Sequence, residues 1–581
     1  MNKFINLKKE KVILVGIVLL AAFLIFFRLT RADLQGDDSH FSFRSIGYID
    51  YMSSQLQTTA LQWLGGDQPL WTKFSFHDHP PLVFLVQHLF FKIFGISDFV
   101  AKLPFALAGL ALILVVYLIN RELFDIPAGL TAAFILAISG YHVWISRIGC
   151  LEDFTILFMA LSLFFLLKSR RREEYFLLAG FFLGLGMLSK YTTLILVPVF
   201  IIYSFLYYKE VFKNKYFWFS FLVAIIIFLP VIFYNLEVYR TRGHFDVQFS
   251  EIFGQKTTDW TIFIKRHLFS GRNYIDQFFN IFKNIISFVS WPIFVFFLGS
   301  LGYMVWEAVK KNNERVTKSC LILLSLFFFS SVFFSLTNQG AHYLSPFNFM
   351  MALVMGRSLS VIGQRTVTSG NIYWRSFFGG LIALIVLFSL IYNFNTNHRL
   401  ERLSGTFWTS GIRLESFGFQ DLEIFLKNEF SEKRVKDFAM SYPSIKRFPK
   451  YQQAGDNREF VRSIYLYDNN TKWFPRLWYL ERWAFYRYLP IFSIEQIKSI
   501  HEQLLVSNYQ YDYLYFIKGN QPYQLDNPEY LNKCPEILAD ILETRTDVEV
   551  MEIKNKKQEV VFKVYRFKDL DLLGSCDKLT K

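Results

Sequence analysis

The sequence predicts a polytopic α-helical membrane protein that ends in a soluble α/β domain. Three observations predict it. Of 581 residues, 53% are hydrophobic and only 19% are charged, against roughly 25% charged in a soluble domain. Mean hydropathy is +0.27. The apolar residues gather into runs over the first two-thirds, whereas Asn395–Lys581 has ordinary soluble composition. The length exceeds what one soluble core supports, so lipid has to supply much of the apolar surroundings.

The first element is Val12–Phe27, preceded by Lys8, Lys9 and Lys11 and followed by Arg28 and Arg31. No small-residue cleavage site follows, so it is read as a membrane helix and not a removed signal peptide. The later runs are Pro81–Phe94, Phe99–Ile119, Ala128–Ile145, Phe154–Leu167, Phe176–Leu188, Thr192–Tyr207, Tyr216–Tyr234, Ile281–Val305, Ser319–Leu336, Tyr343–Leu359 and Phe377–Tyr392. A span takes about 20 apolar residues. It is helical because lipid offers the backbone no hydrogen-bond partner.

Orientation follows Lys and Arg. The N-terminus, Arg121, Lys168–Arg172, Lys209–Lys215, Lys310–Lys318 and Arg357–Arg375 are read as cytoplasmic. The opposite side receives Arg28–Pro80, Ser146–Asp153, Ser189–Tyr191, Asn235–Asn280, Thr337–His342 and the tail. Pro81–Phe94 and Phe99–Ile119 then need an odd number of crossings. Either one of them is re-entrant or interfacial, or a further crossing is hidden, and the expected total is odd, about 11 to 13. The expected organisation is a membrane domain over 1–394, with a first extracytoplasmic loop at 28–80, and an extracytoplasmic domain over 395–581. The tail shows a helical stretch at Leu422–Asn428 and strand-like runs at Tyr511–Ile517 and Val560–Arg566. The location expected is the plasma or inner membrane, with the N-terminus cytoplasmic.

Several function classes fall away. The net charge of +14 would suit nucleic acid, but the basic residues sit in short loops between apolar runs, as membrane orientation requires. The four cysteines, Cys150, Cys320, Cys534 and Cys576, show no zinc spacing. If the tail is exported, Cys534 and Cys576 either pair or stay as thiols. GxxxxGK[ST], HExxH and GxSxG are missing, which leaves a nucleotide-driven pump unsupported.

Candidate chemistry gathers on the outside face. Asp37-Asp38 follows the first helix. Adjacent carboxylates suit a general base for an acceptor hydroxyl, and equally a solvated helix cap. His77-Asp78-His79-Pro80-Pro81 leads the chain back into the membrane. His79 can donate to a phosphate, and two histidines two apart can share a metal in extended backbone; a plain turn fits as well. Asp153 heads a membrane helix, where a carboxylate either stabilises the N-terminus or serves as a second acid in a cavity. Lys190 follows an apolar stretch of only about 20 Å at helical rise and is followed by more apolar sequence. It either snorkels or lines a polar cavity. Arg240, Arg242, His342 and Tyr343 lie beside other membrane segments, as phosphate ligands or interfacial anchors.

The order of these signals resembles the dolichyl- and polyprenyl-phosphate sugar transferases of the GT-C fold, especially the protein O-mannosyltransferase and aminoarabinose transferase families. The resemblance runs from the first span to about Tyr392. It rests on Asp37-Asp38, His79–Leu82, Phe94–Pro104, Asn120–Phe124, the turn reaching Asp153, Leu188–Lys190 and His342–Pro346. Two positions depart from the family pattern: Asp38 stands where Glu is commoner, and Lys102 where Arg is usual.

The resemblance implies transfer of a sugar, mannose-like or another hexose or pentose, from a polyprenyl-phosphate lipid to an acceptor hydroxyl on a protein, lipid or glycan. It implies inversion at the anomeric carbon, Asp37 as the acceptor-side acid with Asp38 and Asp153 near it, and His79, Lys190, Arg240, Arg242, His342 and Tyr343 on the phosphate side. No cofactor is required, and a divalent metal is left open. The competing class is a lipid or sugar transporter with a sensor domain, which would place binding residues at the midplane on broken helices.

Overall fold

The structure is a computed structural model, and it describes residues 7–52, 58–64, 68–207, 210–260, 273–310, 313–337, 339–368, 371–399, 407–408, 410–412, 414–430, 463–487, 489–496, 512–520, 532–569 and 572. Two compact units emerge from the chain. The first comprises 1–29, 52–59 and 69–414; the second comprises 30–51, 60–68 and 415–581.

The first unit is helical. Among the described residues six helices are long and apolar enough to cross a membrane: Asp98–Leu123, Lys215–Arg242, Trp291–Lys310, Glu314–Leu336, Ser345–Thr368 and Ile372–Asn397. A seventh forms if Ile126–Ile138 and Gly140–Ile148, bent by 62° at Ser139, make one span. Leu82–Phe94, Tyr175–Ser189 and Tyr191–Tyr207 are shorter apolar helices. The protein is therefore a multi-pass membrane protein.

Local chemistry sets the helix ends. Ser97 and Asp125 accept from the amides of Val100 and Ala128, as helix-capping side chains do. The expected run Ala128–Ile145 reads through Ser139-Gly140, yet the helix breaks there because Ser139 Oγ caps the next helix at His142. Ile281–Val305 likewise reads as one run but forms Tyr274–Val289 and Trp291–Lys310. Between them Ser290 adopts φ 75°, and Pro292 suits the first turn of the next helix.

Close packing fixes the helices that carry the candidate site. Tyr175–Ser189 lies against Lys215–Arg242 at Gly180 and Gly184; a Cβ on Gly180 would fall 2.0 Å from the Ser220 carbonyl oxygen. Small residues four apart permit such backbone contact in membranes. Arg147, 2% exposed, donates to the carbonyls of Ile25, Phe27 and Arg28 at 2.7–2.8 Å. It thereby satisfies acceptors in the last turn of the helix Leu7–Phe26 and just past its end.

The second unit is a mixed α/β domain. Its strands are β1 Ser463–Tyr467, β2 Ile491–Ser493, β3 Tyr513–Gly519, β4 Glu549–Lys554 and β5 Val560–Phe567. They form one sheet in the order β2-β1-β3-β5-β4. β1 pairs in parallel with β2 and β3, whereas β5 pairs antiparallel with β3 and β4. Leu466, Leu514, Phe516 and Tyr565 pack with Leu538 and Leu542 of the helix Cys534–Glu543. The expected strands at Tyr511–Ile517 and Val560–Arg566 correspond to β3 and β5, and the expected helix corresponds to Phe419–Phe430. Cys534 is disulfide-bonded, and Cys576 lies outside the described residues.

The segment 30–51 is built into this second unit. The Asp33 carboxylate accepts from the amides of Phe417 and Gln420. The Leu34 amide donates to the Tyr479 hydroxyl at 3.0 Å, and the Tyr486 hydroxyl donates to the Phe43 carbonyl at 2.7 Å. Phe43 also packs with Leu477 and Phe485. These contacts explain why a stretch that follows the helix Leu7–Phe26 folds with the distant tail.

Candidate functional site

Lys190 is the centre of the candidate site in the first unit. It ends the helix Tyr175–Ser189 in extended backbone, φ −164° and ψ 141°. The residue is only 7% exposed, so it does not snorkel. Its ammonium pairs with the Glu152 carboxylate and lies 3.8 Å from the centroid of the Tyr343 ring. The His342 ring adjoins Tyr343 at 4.1 Å between centroids. The Tyr141 hydroxyl donates to the Ala341 carbonyl, which anchors that turn.

Glu152 and Asp153 open the helix Glu152–Lys168, where the helix field favours negative charge. Both are buried. Asp153 Oδ1 lies 3.3 Å from Ser146 Oγ, which also donates to the His142 carbonyl at 3.0 Å. Gly109 admits this arrangement, because a Cβ there would fall 1.9 Å from Ser146 Oγ. Asp153 was the residue singled out from sequence, but Glu152 is the one that meets Lys190. Its signal was adjacency to Asp153; only folding brings it to position 190.

A second group continues from Lys190 through Tyr191. The Tyr191 hydroxyl and Asn235 Nδ2 donate to Asp246 Oδ2 at 3.0 and 3.1 Å. Burial raises the Asp246 pKa, although hydrogen bonds from Phe249, Asn235 and Tyr191 oppose it. The His77 carbonyl accepts from the Val247 amide at 2.9 Å, and the Asp78 carbonyl from Gln248 Nε2 at 2.9 Å. Asp78 lies beside His79, with Oδ2 3.1 Å from Nδ1. His77 stacks on Trp260, ring centroids 5.3 Å apart.

The two arginines separate. Arg242 forms a bidentate pair with Asp259 at 2.7–2.9 Å, and His244 Nε2 meets the same carboxylate at 2.8 Å. Burial pushes the Asp259 pKa up, but hydrogen bonds from Arg242, His244 and Thr58 bring it below the usual value. Arg240 has a side chain 79% exposed and sits 3.8 Å from Glu237.

Asp37 and Asp38 belong to the second unit, where they open the helix Asp37–Gly47. Asp38 Oδ1 accepts from the amides of Gln35, Gly36 and Ser39 at 2.8–3.1 Å, so this carboxylate shapes the turn. Asp37 is half-buried beside it.

Residues 78–234 match the family described as dolichyl-phosphate-mannose-protein mannosyltransferase. YkcB of Bacillus subtilis (strain 168), provisionally named a mannosyltransferase, is 28% identical over 141 residues, 24% of this chain and 20% of its own length. YycA of the same organism, similarly named, is 24% identical over 144 residues, 24% of this chain and 21% of its own length. The matched segment thus spans about a fifth of each relative. Among solved structures, the apo oligosaccharyltransferase of Archaeoglobus fulgidus is similar with a TM-score of 0.53 and 14% identity, over 88% of this chain and 70% of that one. ArnT of Cupriavidus metallidurans bound to undecaprenyl phosphate is similar with a TM-score of 0.51 and 13% identity, over 97% and 98%. AglB of Archaeoglobus fulgidus, in complex with an inhibitory peptide and a dolichol-phosphate, gives 0.52 and 14%, over 88% and 69%. Agreement along almost the whole of ArnT gives this chain the same fold, the GT-C fold, and the family match covers the segment that holds Glu152 and Lys190.

Proposed function

We propose that the protein transfers a sugar from a polyprenyl-phosphate donor to an acceptor hydroxyl on the extracytoplasmic face of the membrane. The observation that carries this reading is the buried Lys190 ammonium, held by Glu152 and Tyr343 in the membrane unit. An ammonium buried in lipid surroundings is costly unless it has a partner or a task. A lipid phosphate is the anion a bilayer delivers. Undecaprenyl phosphate bound to ArnT and dolichol-phosphate bound to AglB support the choice of donor.

In this mechanism the donor phosphate approaches Lys190, whose charge Glu152 holds in place beforehand. Tyr343 supplies a hydroxyl to the phosphate, with His79 and His342 as further donors. Arg242 contributes through the Asp259 pair, and Arg240 is the outermost cation. Asp37 takes the proton of the acceptor hydroxyl as its oxygen attacks the anomeric carbon. The carbon–oxygen bond to phosphate breaks, and the polyprenyl phosphate leaves with the bonding pair. Preorganised positive charge stabilises that phosphate as it forms. Attack opposite the leaving group inverts the anomeric centre. Asp38 and Asp153 support the acceptor side by shaping their turns. No nucleotide takes part, because the lipid phosphate is itself the leaving group. The sugar is mannose-like or another hexose or pentose, and the acceptor is a protein, lipid or glycan. The N-terminus faces the cytoplasm and the second unit the outside, in the plasma or inner membrane.

Mass spectrometry of envelope glycans and glycolipids tests this reading. A deletion strain should lose one modification, restored by the wild-type gene and not by Asp37→Asn. An unchanged profile on deletion would sink it.

A further inference from the structure

Beside the Lys190 cluster lies a cavity of about 10 Å³, lined in part by Asp153, His142, Tyr141, Ser345 and Asn348. Asp153 is 1% and Ser345 4% exposed. Asp153 Oδ2 and Ser345 Oγ are buried and have no hydrogen-bond partner among the described residues. The neighbouring polar atoms are engaged elsewhere. His142 Nε2 donates to the Gly109 carbonyl at 3.1 Å, Asn348 Oδ1 accepts from Ser139 Oγ at 3.1 Å, and Asp153 Oδ1 faces Ser146. Two unsatisfied oxygens from different helices therefore line one small chamber.

We propose that this chamber binds a single ordered water. A buried water needs roughly 10–15 Å³ and two to four polar partners, and buried polar atoms without partners are rare in native proteins. The water donates one hydrogen to Asp153 Oδ2 and pairs with Ser345 Oγ, with Asn348 at the rim. It ties the first turn of Glu152–Lys168 to the first turn of Ser345–Thr368. Glu152 begins the former, and Tyr343 lies two residues before the latter. These two side chains flank Lys190, so the water sets their spacing. Asp153 and Ser345 are positioning residues. The water site stands on geometry alone; its effect on the donor rests on the function proposed above.

Cryo-electron microscopy of the full chain in nanodiscs, at a resolution that shows ordered waters, tests the site. A peak within about 3.2 Å of both Asp153 Oδ2 and Ser345 Oγ supports it. No peak, or direct contact between the two side chains, overturns it. Thermal unfolding in sodium, potassium and choline chloride should give one Tm, since a sodium-specific rise lost in Asp153→Asn would make the occupant a cation and overturn the water. For the positioning role, Ser345→Ala should raise the donor KM about fivefold, one lost hydrogen bond's worth, at nearly unchanged kcat, and Ser345→Thr should restore it. An unaltered KM in Ser345→Ala, with the peak present in the wild type, overturns that role and leaves the water site standing.

Discussion

The Lys190 ammonium stands 3.8 Å from the centroid of the Tyr343 ring, while its charge is paired with Glu152. Three chain segments, around 152, 190 and 343, meet at this one cation. Lys190→Met should remove donor turnover and strand a buried carboxylate, a change that costs about 3–5 kcal/mol. Adding Glu152→Gln should recover much of the stability and none of the activity. The measurement is thermal unfolding in detergent beside a transfer assay, arranged as a double-mutant cycle. Additive effects on stability would show that the pair is not coupled.

Arg147 holds the end of the first helix through three carbonyls. Hydrogen bonds to charged groups contribute about 1.5–3 kcal/mol each, so Arg147→Met should lower Tm sharply and leave little folded protein. Arg147→Lys cannot reach the carbonyls with a planar fork and should fall between. Equal stability of the three proteins would show that the carbonyls find other donors.

Much of the membrane fold was legible because spanning helices are contiguous in sequence and must be apolar. The helix Asp98–Leu123 covers the run Phe99–Ile119 and extends it at the Ser97 cap. The breaks at Ser139 and Ser290 were passed over because apolar residues resume at once on the far side, although Ser139-Gly140 and Pro292 are local signals for a new helix start. Lys190 stood out from sequence by its position between apolar runs. Glu152 did not, because its partner lies 38 residues away. The placing of 30–51 with the tail depends on Asp33 reaching Phe417, a separation of 384 residues that no local pattern records.

That long-range bond has its own consequence. Asp33→Ala strips two amide donors, from Phe417 and Gln420, of their acceptor. Lost helix-end caps cost about 0.5–2 kcal/mol. Limited proteolysis of the full chain should cut the second unit faster in this variant. Identical cleavage rates would mean that other contacts hold 30–51 in place.

Asp468 gives the second unit a pH dependence. It is fully buried at the end of β1. Burial, aided by Glu536, raises its pKa to about 6 against the opposing Asn470 hydrogen bond. Between about pH 4 and pH 6 the unfolded chain loses this proton while the folded chain keeps it. Stability from this group is therefore complete below that window and lost as pH rises through it, about 3 kcal/mol in all. Asp468→Asn should remove that part of the slope and raise Tm at neutral pH. Parallel Tm–pH curves for the two proteins would contradict this.

The most direct test uses purified protein in vesicles with a polyprenyl-phosphate donor labelled in its sugar and an envelope extract as acceptor. Label should pass to an acceptor as unglycosylated polyprenyl phosphate appears in equal amount, and Lys190→Met should do neither. Label that crosses the bilayer still attached to its lipid, with no phosphate released, would contradict the transferase and favour a transporter.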